Sequence, residues 1–512
     1  MCHGGRVFRL LALLGGLSAV LDLGTGSASD ESLTRCLVAT RFARHLGLPS
    51  EDVATVLYTS LLEHLGCTAY ASQAAAIFGD DVATTRLAFR TDWERPVDLV
   101  RTFVPGVAAA TGRSRARVLA TLFTAGRALG SEGQPATCEV ARAAAGRLNL
   151  PPSVAESLHS VLTAWNGKGH PPLAGTAIPL PARITQVASV AVLFTLDDDA
   201  SRAMTELANR RGTSLDPDLV ARLDPRILDE VGTVDPYEAV LAAEPDPVRL
   251  VDDQDLAEVC RTFGDLVDLK SPSFHGHSTA VGDLAGAAAR RLGIPEAERV
   301  RIAGYLHDLG RVAVSSAVWD KPGPLTRIER DHVELHPYYT ERVLTRVPAL
   351  ADLGRIAGQH HERSDGSGYH RGLLGGTTPL PARVLAAADR YRCVVEPRPH
   401  RAARSPDEAA SVLREDARAG RLDSDAVAAV LEAAGHRVGA RRPRPAGLTD
   451  RQVEVLRLLA AGLSNKQIAA RLVLSPRTAE RHVQDVYDKI GLSSRAGAAL
   501  FAMEHGLIEK TG

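Results

Sequence analysis

The sequence predicts an all-α protein of several domains. The chain has 512 residues, which at about 100–200 residues per domain is enough for about three domains. Aromatic residues make up only 4% of it, and its richness in Ala and Leu favours helices over strands. A hydrophobic content of 45% with 24% charged residues is typical of a folded globular protein and argues against extensive disorder.

The net charge of −1 excludes a uniformly basic, nucleic-acid-coating protein, so any DNA-binding part must be local. The six cysteines are far apart, the nearest two being Cys36 and Cys67. Without a CxxC pair, neither a thiolate zinc site nor a dense disulfide framework is indicated. This spacing favours a reducing cytoplasm.

The longest apolar run, Leu10–Leu21, is too short to cross a bilayer, which takes about 18 residues or more. Arg6 and Arg9 before it and small residues after it imitate a signal peptide. A buried amphipathic helix is the alternative that we favour, because Asp22 ends the run and a helical pattern then resumes. We therefore expect no membrane association and a cytoplasmic location.

Composition divides the chain into five segments. Residues 223–254 are rich in Pro and acids, which indicates an irregular linker, and residues 436–446 hold several arginines and no acid, which indicates a basic tether. The predicted segments are a helical domain (1–222), the acidic linker (223–254), a second helical domain (255–435), the basic linker (436–446) and a small C-terminal domain (447–512).

The two helical domains repeat each other in sequence. Residues 41–66 parallel 286–310, and residues 165–189 parallel 364–389, where both copies contain Pro-Leu-Pro-Ala-Arg. We therefore expect two copies of one helical fold, and a repeat of this kind has to be recognised before a fold is assigned.

The second copy contains metal-ligating side chains about 25–30 residues apart, which suits a bundle whose successive helices each send a ligand to one centre. Imidazole and carboxylate without thiolate favour iron, manganese, nickel or zinc. An Asp can bridge two metals, and a two-metal site can bind a phosphate and activate water for phosphoester hydrolysis. The residues are His277, His307 with Asp308, His336, His360 with His361, and Asp389.

Four motifs of this copy resemble the HD-GYP family of metal-dependent phosphohydrolases: HDLGR (307–311), HHERSDGSGYHRG (360–372), PLPARVLAAAD (379–389) and RPHR (398–401). The resemblance covers nearly all of residues 255–435. It implies an HD-superfamily helical fold and a binuclear centre, and the best-known substrate of the family is cyclic di-GMP.

Carried over to this sequence, the resemblance implies two divalent ions such as iron or manganese. His277, His307, Asp308 and Asp389 would hold one, and Asp308 would bridge to a second held by His336, His360 and His361. The catalytic residues would be Asp308 and Arg311. The substrate-binding residues would be Arg311, Asp365, Gly366, Gly368, Tyr369, Arg398 and Arg401.

Three positions depart from the family pattern. Arg311 replaces a Lys, which keeps the positive charge near the leaving phosphate but not the same donor. His370 replaces the Pro of GYP, which removes a rigid turn residue and weakens the cyclic di-GMP assignment. Ser273 stands where some members have an acid that supports a third metal, so we expect two metals.

The first copy lacks the corresponding ligands. His307-Asp308 aligns with Glu63-His64, His360-His361 with Val161-Leu162, and Asp389 with Ser189. Apolar and hydroxyl groups cannot replace these ligands, so this copy should hold no metal pair. It is either a degenerate sensor pocket or a packing and dimerisation platform.

The C-terminal segment has the signals of a helix-turn-helix. Thr449, Ser464 and Ser475 can each cap a helix, and the last of these helices has a polar face. Residues 447–508 resemble the LuxR-type DNA-binding domain, a four-helix fold. The resemblance implies base contacts from Glu480, Arg481 and Gln484, and phosphate contacts from Lys466, Thr478, His482, Lys489 and Arg495.

Two functions fit these features. The first is a DNA-binding regulator whose second copy hydrolyses a cyclic dinucleotide or a related phosphodiester. The second is a transcription factor in which the HD-GYP-like copies only bind a nucleotide and shift the DNA-competent population. DNA and a cyclic dinucleotide are the expected partners, and a homodimer is a further candidate assembly.

Overall fold

The computed structural model describes residues 6–128, 132–229, 231–374, 377–437, 446, 448–472, 474–505 and 507. It contains two compact units, Met1–His436 and Arg437–Gly512. In the described part the structure is helical, apart from two short antiparallel strands, β1 (Phe8–Arg9) and β2 (Leu250–Val251). The all-α prediction is confirmed. Arg441, Arg442 and Arg444 of the predicted basic linker lie outside the described residues.

The first copy begins with a helix that is buried on nearly every side. Two of its glycines explain this packing: a Cβ on Gly16 would lie 1.8 Å from Val347 Cγ2, and one on Gly24 would lie 3.3 Å from Val312 Cβ. The apolar run is thus a buried helix that touches both copies, rather than an amphipathic one. The helices are α1 (Leu10–Thr25), α2 (Glu31–His45), α3 (Ser50–Leu61), α4 (Ala71–Phe78), α5 (Asp81–Arg90), α6 (Pro96–Asp98), α7 (Val104–Thr111), α8 (Arg115–Ala128), α9 (Gln134–Arg147), α10 (Pro152–Ser160), α11 (Leu180–Asp197), α12 (Ala200–Arg210) and α13 (Pro217–Arg222).

The segment expected to be an irregular linker is folded against the first copy. It contains α14 (Pro236–Ala243) and β2, which pairs with β1 at the other end of the copy. Glu244 accepts a hydrogen bond from the Tyr58 hydroxyl at 2.6 Å, and both side chains are buried. Residues 223–254 are therefore part of the packed unit and not a free tether.

The second copy supplies the predicted metal ligands from its helix ends and helix interiors. A 3-10 turn, Leu309–Ala313, directly follows the predicted ligand Asp308 and contains Arg311. The helices are α15 (Asp253–Asp268), α16 (His277–Arg291), α17 (Ala297–Leu306), α18 (Ser316–Trp319), α19 (Arg327–Glu334), α20 (His336–Thr345), α21 (Ala351–Ala357), α22 (Leu380–Val395), α23 (Pro406–Arg418) and α24 (Ser424–Ala433).

Matching hydrogen bonds show that the two copies share one scaffold. Asp22 accepts from the Ser32 amide at 3.0 Å and from its hydroxyl at 2.6 Å, and Asp268 accepts from both groups of Ser278 at 2.8 Å. Each copy also ties its PLPAR arginine to a later helix. Arg183 pairs with Asp216 and Arg383 with Asp423, both at 2.6 Å.

A buried ion pair joins the two copies. Lys270 Nζ lies 2.5 Å from Asp81 Oδ2 and donates to the Val312 carbonyl at 3.0 Å. The other oxygen of Asp81 accepts from the Ser316 amide at 2.7 Å. Because these groups are almost fully buried, the pair fixes α5 of the first copy against the segment that follows Arg311.

The C-terminal unit has four described helices: α25 (Asp450–Ala460), α26 (Asn465–Arg471), α27 (Pro476–Ile490) and α28 (Arg495–Glu504). Thr449, Ser464 and Ser475 cap α25, α26 and α27 through hydrogen bonds to backbone amides, as predicted. Ala479, Val483 and Val486 of α27 face the small core, which leaves the opposite side of that helix in solvent.

No helix in the described part of the chain has the length and hydropathy of a membrane span. The five cysteines among the described residues are free thiols.

Candidate metal centre and DNA-binding surface

Five elements of the second copy bring the seven predicted ligands to one buried point. Two of the ligands begin helices α16 and α20, two follow the end of α17, two follow α21, and one lies inside α22. Six of them are at most 3% exposed, and the other is half-buried. The ligands are His277, His307, Asp308, His336, His360, His361 and Asp389.

One oxygen of Asp308 faces a first group of ligands. Asp308 Oδ2 lies 2.9 Å from His307 Nε2 and 3.4 Å from His277 Nε2. Asp389 Oδ1 lies 3.3 Å from the same nitrogen of His277 and 3.8 Å from that of His307. Two imidazoles and two carboxylates therefore surround one point.

The other oxygen of Asp308 faces a second group. Asp308 Oδ1 lies 3.2 Å from His336 Nε2 and 3.4 Å from His360 Nε2. The ligand atoms of these two rings and of His361 all lie within 4.8 Å of one another. Asp308 thus stands between the two groups, with one oxygen turned to each.

Backbone carbonyls fix the orientation of three of the histidine rings. The Nδ1 atoms of His307, His336 and His360 lie 2.6–2.7 Å from the carbonyl oxygens of the residues three positions earlier. A carbonyl can only accept, so each Nδ1 donates and each Nε2 points to the centre, where a neutral ring would offer its lone pair to a metal.

The free atoms of this centre fit a metal. His277 Nε2, His307 Nε2 and both oxygens of Asp308 are buried and make no hydrogen bond of good geometry among the described residues, although Arg311 forms an ion pair with Asp308 Oδ2. His336 Nε2 and His360 Nε2, both lone-pair acceptors, face each other at 3.2 Å. Buried acceptors without donors are costly, and this separation suits two metal–nitrogen bonds of about 2.0–2.1 Å.

The electrostatics also favour cations. Burial alone would raise the pKa of Asp308, but Arg311 and His307 outweigh it and hold that pKa well below its usual range. Burial opposes ionisation of Asp389 as well, yet His277 and His307 keep its pKa low. Burial lowers the pKa of His360 to about 4, so this ring is neutral, the form that binds a metal.

Two residues near the centre were missed by the sequence analysis. Glu396 Oε2 lies 2.7 Å from His277 Nδ1 and so orients that ring. Phe274 lies between two guanidinium groups, with Arg311 4.2 Å and Arg398 5.0 Å from its ring centre. Arg311 also forms an ion pair with Asp308, at 2.6 Å.

The predicted substrate loop reaches the centre through Tyr369. Its ring lies 4.6 Å from that of His361. Gly368 allows the close approach, because a Cβ there would lie 2.5 Å from the His361 carbonyl oxygen. Gly366 has a φ of +80°, and Asp365 is turned to its own loop, where it accepts from the Ser367 amide at 3.0 Å.

Arg398 and Arg401 are bound within the protein. Arg398 donates to Glu396 Oε2 at 3.2 Å and to the Ser273 carbonyl, and its side chain is 9% exposed. Arg401 donates to the Val394 carbonyl at 3.0 Å and to that of Cys393. Their predicted contact with substrate phosphates stays a prediction.

The corresponding place in the first copy contains an arginine. Arg35 Nε lies 2.9 Å from Glu63 Oε2 and donates to the Ser60 carbonyl at 3.0 Å. Its two terminal nitrogens donate to His64 Nε2 and to the Ser32 hydroxyl, each at 3.1 Å. The guanidinium therefore supplies the positive charge for this buried carboxylate.

The predicted DNA-binding residues divide by exposure. Lys466, Glu480, Arg481 and Gln484 are exposed, the last three on the outer side of α27. Lys489 is exposed as well, but it and the remaining predicted contacts are hydrogen-bonded within the unit or only partly exposed. Thr478 bonds to Ser475, Lys489 to Gln452 and Arg495 to Asn465, and His482 is partly exposed.

Comparisons with known proteins agree with this division into units. A model of the HD domain matches residues 261–426, and a model of the luxR family of bacterial regulatory proteins matches residues 446–502. The 3'3'-cGAMP-specific phosphodiesterase 3 of Vibrio cholerae is 30% identical over 439 residues, which cover 84% of this chain and 95% of that protein.

Two further relatives are similar. The cyclic di-GMP phosphodiesterase response regulator RpfG of Xanthomonas campestris is 40% identical over 140 residues, 25% of this chain and 35% of that protein. The crystal structure of a cyclic GMP-AMP-specific phosphodiesterase of V. cholerae, V-cGAP3, superposes with a TM-score of 0.56 at 26% identity, covering 85% of this chain and 99% of that one. The chain belongs to the HD-GYP family of metal-dependent phosphodiesterases, and it has a LuxR-type DNA-binding domain at its C-terminal end.

Proposed function

We propose that the second copy hydrolyses a phosphodiester bond of a cyclic dinucleotide at a centre of two divalent ions, iron or manganese. The observation that supports this best is the position of Asp308, with one oxygen toward each group of ligands. His277, His307, Asp308 and Asp389 would hold one ion, and His336, His360, His361 and Asp308 the other.

The metals would lower the pKa of a water nucleophile and polarise the phosphate. The protein's own residues would position these groups. Arg311, stacked on Phe274 beside Asp308, would place a fixed positive charge near the leaving phosphate. Tyr369 would bound the substrate on the side of His361, and Gly366 and Gly368 would shape the loop that presents it.

The substrate class follows from the relatives. One relative that aligns with most of this chain is named as specific for 3'3'-cGAMP, and shorter matches are named as cyclic di-GMP phosphodiesterases. We propose 3'3'-cGAMP as the first substrate to test, because that alignment extends over both copies.

The test incubates the full chain with Mn²⁺ or Fe²⁺ and either 3'3'-cGAMP or cyclic di-GMP, and separates linear products by chromatography. We expect hydrolysis by the wild type and a loss of about 10³-fold or more in Asp308→Ala, which removes the residue shared by both ligand groups. Tyr338→Ala, an exposed change nearby, is the control.

The alternative is a regulator that binds the nucleotide without turnover. Its support is the fusion to a DNA-binding domain. Absence of hydrolysis of both nucleotides, with DNA affinity still changed by one of them, would favour this alternative over the enzyme.

For the DNA-binding domain, we propose that Glu480, Arg481 and Gln484 contact bases. Lys466, Thr478, His482, Lys489 and Arg495 would contact phosphates. A cytoplasmic location is part of the proposal, since the DNA must be accessible.

We also propose that the chain forms a homodimer through α28. Leu500 and Met503 on this helix are 51% and 61% exposed and three positions apart, so they lie on one face. Helix-turn-helix proteins commonly bind two half-sites as dimers. Sedimentation of Leu500→Glu against the wild type tests this, with a smaller species expected for the variant.

A further inference from the structure

The first copy contains a cavity of about 780 Å³ beside its Arg35–Glu63 pair. This volume is within the range of small-molecule pockets, about 300–1,000 Å³. Most of the cavity wall is apolar and partly aromatic, from residues of four regions of the copy: Phe89, Trp93, Leu122, Leu162, Val190 and Leu193.

Three polar atoms of residues that line the cavity are buried without a hydrogen-bond partner among the described residues. They are Asp92 Oδ2, Arg210 Nε and Ser214 Oγ. Asp92 and Arg210 are only 2% and 6% exposed. These three atoms are enclosed within the wall, so a ligand in the cavity would contact mainly its apolar side chains.

The other charged groups of the wall are already neutralised. Glu31 pairs with Arg86 at 2.7 Å, Glu63 with Arg35 at 2.9 Å, and Glu94 with Lys168 at 2.7 Å. Asp92 and Arg210 add one charge of each sign. The cavity therefore has no excess of cations with which to bind the phosphates of a nucleotide.

We propose that this cavity is a binding site for an uncharged, largely apolar aromatic molecule. Its aromatic rings would lie along Phe89 and Trp93. The site is separate from the metal centre and does not depend on the proposed hydrolysis.

Helix α5 connects this site to the second copy. Its last turn places Phe89 in the cavity wall, and its first residue, Asp81, is bound to Lys270 and to the Ser316 amide. A ligand that displaced α5 would therefore act on the segment that follows Arg311, which gives the site a regulatory position.

The test uses N-phenyl-1-naphthylamine, an uncharged fluorophore with three aromatic rings, titrated into the full-length protein. We expect saturable binding of one probe per chain. Leu122→Trp, which fills the cavity from α8, should weaken binding about tenfold or more. Leu119→Trp is the matched control, since Leu119 is on the same helix, is 39% exposed and does not line the cavity.

Two further results would sharpen the outcome. Asp308→Ala should bind the probe like the wild type, so a failure of the proposed hydrolysis leaves this test intact. Cyclic di-GMP should not displace the probe in Asp308→Ala, in which the metal centre is disrupted. Unsaturable binding, equal affinity in Leu122→Trp and Leu119→Trp, or displacement by cyclic di-GMP in Asp308→Ala would overturn the proposal.

Discussion

The two helical copies share a scaffold but differ in the groups that surround the buried carboxylates at their centres. In the second copy, Asp308 and Asp389 are buried among imidazoles whose free nitrogens have no donor to accept from. In the first, Glu63 is buried against the guanidinium of Arg35. The first copy therefore pairs its buried carboxylate with an arginine. In the second copy Arg311 pairs with Asp308, but among the described residues Asp389 has only imidazole and thiol contacts.

The alignment of the two copies shows that their centres differ at only a few positions. Asp22 with Ser32 matches Asp268 with Ser278, and in that register Arg35 corresponds to Val281. An arginine at one position of α2 thus contacts Glu63 and His64, the residues that align with His307 and Asp308 of the second copy. The scaffold contacts are retained in both copies, whereas the chemistry depends on a few residues.

The largest effect on this comparison is expected from Arg35→Val, which gives the first copy the residue of the second. Glu63 would lose its cation and stay buried, so the free energy of unfolding should fall by about 3–5 kcal/mol. Urea unfolding measures it. Arg44→Val on the same helix is the control, because that exposed side chain loses only a hydrogen bond to the Ala243 carbonyl. An unchanged midpoint would mean that the guanidinium does not stabilise this centre.

Glu396→Gln tests the orientation of a ligand in the second copy. The change keeps the size of the side chain but removes the charge that holds His277 Nδ1. Metal affinity should fall by about 10–100-fold with stability little changed, as is usual for residues that support a ligand. Calorimetric titration of Mn²⁺ measures this; Glu334→Gln, on α19, is the control, and equal affinities would exclude the orienting role.

Substitutions in the C-terminal unit are expected to have a smaller effect, which can be measured separately as a change in DNA binding. Arg481→Ala should cost about 1–3 kcal/mol on the preferred sequence and relax the preference, whereas Lys489→Ala should weaken binding to all sequences alike. Binding titrations on specific and random duplexes at a fixed salt concentration measure both. If neither variant changed binding, the proposed face of α27 would be wrong.

The sequence was sufficient to predict which side chains gather at this centre, because each lies at a helix end or on one face of a helix and follows a recognisable spacing. Their role as metal ligands stays a prediction. It was not sufficient for Glu396, because contact with His277 depends on how two distant segments pack. The same holds for Arg35, whose role is visible only beside Glu63.

The composition gave a wrong prediction where contacts between segments distant in the sequence determine the structure. Prolines and acids in 223–254 predicted an irregular linker, but β2 pairs with a strand near the start of the chain and Glu244 bonds to Tyr58. Likewise, the first helix is buried on both sides because Gly16 and Gly24 admit side chains of the second copy.

The most direct test of the difference between the copies is the metal content of the purified full-length protein after loading with Mn²⁺ and removal of excess. We predict about two ions per chain in the wild type and in Glu63→Ala, and a clear loss in Asp308→Ala. Full metal content in Asp308→Ala, or loss of metal in a folded Glu63→Ala, would contradict the assignment of the metal centre to the second copy alone.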